Sequence, residues 1–259
     1  MIAFILAAGQ GTRLMPLTLD KPKAMVDLVG TPLLQRQITV LRQAGVSEIV
    51  VIGGYKADAL AGDFDHLVSN PDYASSNMVH TLFCAAELMT GGEDVIISYG
   101  DIIFQPSVIG ALMNEDAGMA TVIDRNWRAL WETRMEDPLA DAETLKLDDN
   151  NSIREIGRKP KTYADIEGQY IGLTKVRKDY VRRFVAFWQN MDRRAVYDGQ
   201  DFKNMYFTSY LQALIDAKMP VMAAFVENGW LEVDTVDDLE TYQEMAATGA
   251  LQPFIQLSE

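Results

Sequence analysis

The chain has 259 residues, 48% of them hydrophobic and 23% charged, enough for a large core in one domain or in one domain with an insert. A net charge of −14 excludes a surface built to neutralise nucleic-acid phosphates, and the single cysteine, Cys84, excludes an internal disulfide and fits a reducing compartment. No apolar run reaches bilayer length and the N-terminus lacks a signal peptide's basic lead, so the expectation is a soluble, cytoplasmic protein with neither nucleic acid nor membrane as partner. The densest signal is the opening, MIAFILAAGQGTRLMPLTLDKPKAM. Residues 2–8 form an apolar run of strand length, broken at Gly9 and Gly11, where the backbone can turn tightly and aim N–H groups at an anion. Arg13, Lys21 and Lys23 follow on a segment that Pro16 and Pro22 keep out of helix. A strand, a glycine turn and a basic loop make a place to hold phosphates. It is neither common phosphate loop: Leu14 stands where a Rossmann fingerprint needs its third glycine, and no Gly-Lys-Ser/Thr triplet occurs.

Further along, Thr31 is expected to cap a helix with Pro32 at its first position, ending near Arg42. Residues 48–53 and 65–69 read as strands with a short helix between them. A turn at Asn70-Pro71-Asp72-Tyr73 precedes a helix expected from Ser75 or Ser76 through Met89. Residues 94–100, running into Asp101, and residues 118–124 are further strands. The pattern then changes to a hairpin about residues 149–151, a strand at 169–176, helices near 178–189 and 207–217, and a strand at 221–226. Gly229-Trp230-Leu-Glu-Val-Asp234 leads to a helix capped by Thr235, with Asp237 and Asp238 in its first turn. Strands alternating with helices predict an α/β fold: a Rossmann-like mixed, mostly parallel sheet flanked by helices, with a small β-containing insert.

The ordered pattern Leu6-Ala7-Ala8-Gly9-x-Gly11-Thr12-Arg13-Leu-x-Pro16-Leu-Thr, then Lys21-Pro-Lys23-Ala-Met25, closely resembles the signature of nucleotidyltransferases that join a nucleoside triphosphate to a phosphorylated small molecule. The resemblance implies one such unit over residues 1–259, with 1–124 mainly binding nucleotide and 125–259 mainly binding acceptor. It implies that residues 6–9, 11 and 12 with Gly100 bind the nucleotide, that Lys23 contacts the α-phosphate, and that Arg13 contacts the leaving pyrophosphate. Asp101 and Asp234 would hold Mg²⁺, although the first also reads as a turn residue and the second as a helix-start acid. That chemistry needs two repelling anions aligned and charge stabilised at the α-phosphoryl oxygens, hence cations and metal-binding carboxylates. Two histidines and one cysteine leave almost nothing for a zinc cluster or a thiol nucleophile. A chain at −14 handling an anionic nucleotide also needs a local divalent cation.

Asn70, Tyr73, Asn77 and Thr81 form a polar set similar to a helix that lies next to the nucleotide in the bacterial choline-phosphate cytidylyltransferase group, which implies nucleotide binding by Asn70, Asn77 and Thr81, though caps and surface polar groups explain them nearly as well. The stretches around Trp127, Glu143 and Tyr170 resemble that group's middle region, and with Trp230 they mix rings with acids, as a cationic acceptor would require. Trp127 and Trp131 equally fit the apolar stripe of a helix. In Gly157-Arg158-Lys159-Pro160, Lys159 matches the family's acceptor-phosphate lysine, while Arg158 replaces a sugar-reading glutamate. The resulting expectation is CMP transfer from CTP to a small amine-bearing phosphate or phosphonate, phosphocholine leading; phosphoethanolamine, 2-aminoethylphosphonate and an amino-acid amide phosphate follow. A sugar-1-phosphate enzyme using UTP or dTTP and a non-catalytic nucleotide-binding relative are the rivals. Oligomeric state is left open, with a homo-oligomer compatible.

Overall fold

The apolar run at the N-terminus is β1 (Ile2–Ala7), buried at every position. Ala3, Ile5 and Ala7 enter one core and Ile2, Phe4 and Leu6 the other, as the two-residue period of a strand requires. A strand buried on both faces belongs inside a covered sheet. The structure, a computed structural model, describes residues 1–257; the last two residues of the expected unit, 258 and 259, lie outside the described residues.

The first half carries β2 (Asp27–Leu28), β3 (Thr31–Pro32), α1 (Leu33–Gln43), β4 (Glu48–Gly53), β5 (His66–Ser69), α2 (Met78–Phe83), α3 (Ala86–Met89), β6 (Val95–Tyr99), β7 (Ile102–Phe104), α4 (Pro106–Asn114) and β8 (Met119–Asp124). The second carries α5 (Trp127–Arg134), β9 (Leu145–Leu147), β10 (Ile153–Ile156), β11 (Gln169–Val176), α6 (Lys178–Asn190), α7 (Phe207–Asp216), β12 (Met222–Val226), β13 (Trp230–Glu232) and α8 (Val236–Thr248). Seven strands make the main sheet in the order β12-β8-β11-β6-β1-β4-β5, and β11 alone runs antiparallel to its neighbours. The mostly parallel sheet expected from the sequence is found, and β9 and β10 form the hairpin outside it. No helix among the described residues is long and apolar enough to cross a membrane.

The chain moves from β1 to β4 and β5 on one side, then returns to place β6 on the other. That reversal opens a crevice at the carboxyl ends of β1 and β6, where open α/β sheets hold ligands. Leu6 pairs with Tyr99, so the residues after them emerge side by side. Gly100 donates its N–H to the Leu6 carbonyl at 3.0 Å, and a Cβ there would stand 2.5 Å from that oxygen.

Two local expectations are corrected. Thr31 does not cap α1: it pairs with Leu28 across β2–β3, and α1 follows Pro32 without a side-chain cap. The helix expected over 75–89 begins at Met78, because the Ser76 hydroxyl is spent on the Asp72 carbonyl and Asn77 takes the cap. It is also divided between α2 and α3. Neither β7 nor α4 was anticipated; the three residues of β7 are too few to show a period, and that strand exists by pairing with β13.

Candidate active site

Lys23 stands where the two expected metal acids meet. Its Nζ donates to Asp101 Oδ2 and to Asp234 Oδ1, each at 2.7 Å, and Arg13 Nη2 lies 2.5 Å from Asp234 Oδ2. These residues come from the segment between β1 and β2, the turn after β6 and the segment after β13, so the fold brings Lys23 together with an acid 211 residues away. Burial opposes the Lys23 charge, yet Asp101, Asp234 and Glu232 outweigh it and hold the pKa above the ordinary lysine value. Gly11 makes room for this lysine. It has a φ of +66°, and a Cβ there would stand 2.8 Å from Lys23 Cβ.

The acid pair fits a divalent ion. Among the described residues Asp101 Oδ1 is buried without a hydrogen-bond partner, and the oxygens facing Lys23 lie at most about 5.4 Å apart, since each is 2.7 Å from one nitrogen. Among the described residues no group of three or more His, Cys, Asp or Glu is arranged to hold a metal by itself. Mg²⁺ commonly takes one or two carboxylates and completes its shell with water and substrate phosphates, so two acids suffice.

Two cavities meet at this cluster. The first, about 150 Å³, is lined by Leu6, Ala8, Gly9, Asn77, Thr81, Gly100 and Asp101, together with Tyr73, Ser76, Met78 and Tyr99. Ala7, Gly11, Thr12 and Asn70 are not on its wall. Ala7 faces the core, Gly11 packs under Lys23, and Thr12 begins the short helical turn that carries Arg13. Asn70 is fully buried; its amide donates to Thr81 Oγ1 at 2.9 Å and Ser76 Oγ at 3.1 Å while its oxygen accepts from the Asp72 N–H. It shapes the wall without facing the cavity.

The second cavity, about 220 Å³, is lined by Arg13, Trp131, Asp141, Glu143, Gln169, Tyr170, Tyr206, Thr208, Trp230, Glu232 and Asp234, and shares Met78 and Tyr99 with the first. Asp101 lines one cavity and Asp234 the other, so Lys23 bridges them. The wall is acidic. Burial, with the charges of Asp141 and Glu232, pushes Glu143 up to about 7 despite a hydrogen bond from Thr208. Glu232 is raised too, by burial first and then by Asp101 and Asp234, against the opposing charges of Arg134 and Lys23. The indole N–H groups are engaged, Trp131 to Asp141 at 3.0 Å and Trp230 to Asp124 at 2.8 Å, which leaves their rings as the available surface. Among the described residues the buried Tyr170 hydroxyl has no hydrogen-bond partner.

Two expected acceptor residues stand elsewhere. Trp127 is core, 5% exposed and packed between Trp131 and Tyr163, as the apolar stripe of α5 allows. Lys159 does not reach the cavity; its ammonium donates to the Leu139 carbonyl at 2.7 Å and to that of Ala140. Arg158 is exposed beside Glu155, so its inability to accept hydrogen bonds does not bear on what the cavity holds. The sequence reading assigned no role to Tyr99, Gln169, Thr208 or Glu232. Only Glu232 left a signal, since residues 230, 232 and 234 share one side of an extended segment.

Comparisons with known proteins bear on the family and the fold. A profile of the MobA-like NTP transferase domain matches residues 3–163. The CTP:phosphoglutamine cytidylyltransferase of Campylobacter jejuni is 42% identical over 253 residues, covering 94% of this chain and all of that protein. The CMP-5'-(3-aminopropyl)phosphonate synthase of Streptomyces rubellomurinus is 28% identical over 91% of this chain but only 37% of its own length. Among solved structures, the CTP:phosphocholine cytidylyltransferase of Streptococcus pneumoniae superposes with a TM-score of 0.67 at 22% identity, covering 95% of this chain and 99% of that one; this likeness bears on the fold alone.

Proposed function

Because the chain belongs to the MobA-like NTP transferase family, we propose that it transfers CMP from CTP to the phosphate of a small acceptor bearing a primary ammonium, an amino-acid amide phosphate such as phosphoglutamine. The observation that carries this reading is the acidic second cavity beside Lys23, where Asp141, Glu143, Glu232 and Asp234 face one lining cation, Arg13. A primary ammonium needs hydrogen-bond acceptors, and carboxylates supply them. The near-full-length relative that acts on phosphoglutamine supports the same choice. Residues 1–124 would mainly bind nucleotide and 125–259 mainly acceptor; every residue on the first cavity's wall falls in the former, and most on the second in the latter.

In the reaction an acceptor phosphate oxygen attacks the α-phosphorus of CTP, and the bond to the bridging oxygen of pyrophosphate breaks. Lys23, between the cavities, turns from the aspartates to the α-phosphoryl oxygens and offsets the charge growing there. Arg13 moves from Asp234 to the leaving pyrophosphate. Asp101 and Asp234 would hold Mg²⁺, which, when bound, offsets the repulsion between the two anionic substrates. No proton must be abstracted, because the attacking oxygen is already anionic.

A phosphocholine-like acceptor is the second reading, favoured by the exposed ring of Tyr206 and by the largely buried rings of Trp131, Trp230 and Tyr170 that line the same cavity. The test is pyrophosphate release with CTP, UTP, dTTP and GTP against phosphoglutamine, phosphocholine, 2-aminoethylphosphonate and glucose 1-phosphate. CTP with phosphoglutamine should be fastest. Glucose 1-phosphate outpacing every amine would replace this reading with the sugar one, and no turnover by any pair would favour a non-catalytic relative.

A further inference from the structure

Helix α5 brings Trp131 to the second cavity and, three residues later, carries Arg134 beneath it. The Arg134 side chain is only 3% exposed, and its guanidinium spans two carboxylates. Nε and Nη2 fork onto Asp238 Oδ1 and Oδ2 at 2.9 and 3.2 Å, while Nη1 reaches Glu232 Oε2 at 3.1 Å. Asp238 also does more than begin a helix: its Oδ2 accepts the backbone N–H groups of Asp234 at 3.0 Å and Thr235 at 2.9 Å. Thr235 Oγ1 completes the reciprocal cap by accepting the Asp238 N–H. Such a cap works at a solvated helix end without any arginine. A cation buried behind it costs desolvation, which its two carboxylates offset while the fork ties both of them to one place.

We propose that Arg134 is a positioning residue for nucleotidyl transfer. Through Asp238 it fixes the backbone that carries Asp234, and through Nη1 it aims Glu232 along the cavity wall. One side chain thus sets two acids that flank Lys23. The same helix turn touches the acceptor side, since Arg134 Cζ lies 5.3 Å from the Trp131 ring centroid and Trp131 packs on Trp230. Lysine cannot replace it, because one ammonium cannot form the planar fork and reach Glu232 together.

The inference rests on nucleotidyl transfer and on Asp234 as a metal ligand, not on which acceptor is used, so a wrong acceptor leaves it standing. Arg134→Lys should lower kcat about 10–100-fold, the scale for removing a partner that orients a ligand, and raise acceptor KM. At saturating Mg²⁺, CTP KM should stay near wild type, because the first cavity's wall includes no member of the network. In Arg134→Ala, guanidinium ion should restore turnover and urea, neutral and of the same shape, should not. Independently of turnover, Mn²⁺ affinity of the CTP-loaded protein, read by electron paramagnetic resonance, should fall about 10–100-fold in Arg134→Lys. A folded Arg134→Lys protein with wild-type kcat and Mn²⁺ affinity overturns the proposal. So does equal rescue by urea, or a loss of active enzyme that leaves both KM values and the Mn²⁺ affinity unchanged, which would mark a merely structural residue.

Discussion

Lys23 holds together a site that would otherwise repel itself. Asp101 and Asp234 share its ammonium, with Glu232 close enough to raise its pKa. Lys23→Ala should therefore lower kcat by roughly 10²–10³-fold, the scale for losing one charge-stabilising donor at a developing oxyanion. It should also lower thermal stability, and adding Asp234→Asn should recover stability but not activity; near-wild-type turnover in a folded Lys23→Ala protein would remove the residue from the mechanism. Glu143 decides between the acceptor types. With a primary ammonium, Glu143→Gln should raise acceptor KM about tenfold, the worth of a charge-assisted hydrogen bond of ~1.4 kcal/mol, and exceed any single loss among Trp131, Tyr170 and Tyr206. If an aromatic substitution hurts more and phosphocholine becomes the better substrate, the cation is held by ring faces instead. The charged centre was legible in the sequence because Arg13, Lys23, Asp101 and Asp234 sit in an ordered pattern or directly after strands. The acceptor wall was not: Trp127 and Trp131 lie on the same stripe of α5, and only tertiary packing makes one core and the other cavity.

At the scale of elements, the strands of the main sheet were legible because each is a run of apolar residues closed by a turn. What the sequence hid depends on partners remote in the chain. Ile102–Phe104 is a strand only because Trp230–Glu232 lies beside it, and Thr31 is drawn from its helix by pairing with Leu28. One close contact between elements is open to test. At the β1–β6 seam a Cβ on Gly100 would press on the Leu6 carbonyl, which is backbone and already accepts the Gly100 N–H. Gly100→Ala should cost about 1–3 kcal/mol, the range for overpacking, and lower the melting temperature by several degrees. Activity should fall further than stability, because the displaced seam carries Asp101. An unchanged melting curve would mean the strands part without cost, and the close approach would then have no structural weight.

For the whole molecule, the acids of the site and the net charge of −14 push stability in the same direction. Glu143, Glu232 and Asp124 all have folded-state pKa values raised first of all by burial. A carboxyl with a raised pKa binds more protons folded than unfolded, so its contribution is lost as pH rises from the unfolded value through the folded one. For Glu143 that window runs from 4.5 to about 7. Its share is at most about 3 kcal/mol, less what solvent screens. Carboxyls with depressed values act lower on the scale. Asp238, where hydrogen bonds from Arg134 overcome burial, and Asp65, held by the Ile49 N–H and Arg42, lose their contribution only as pH falls below about 4. His80 opposes the trend, since burial lowers its pKa and its neutral form gains as pH approaches the ordinary histidine value, but it is one group against three. The ligand-free protein should thus melt at a higher temperature near pH 5 than near pH 8, with solubility falling toward the isoelectric point of about 4.6. Glu143→Gln should flatten part of that slope, and Mg²⁺ with CTP should raise the pH 8 value by binding only the folded chain. A melting temperature that climbs steadily from pH 5 to pH 8 without ligand would mean that these acids are solvated, and that the second cavity is not the charged trap on which the choice of a cationic acceptor depends.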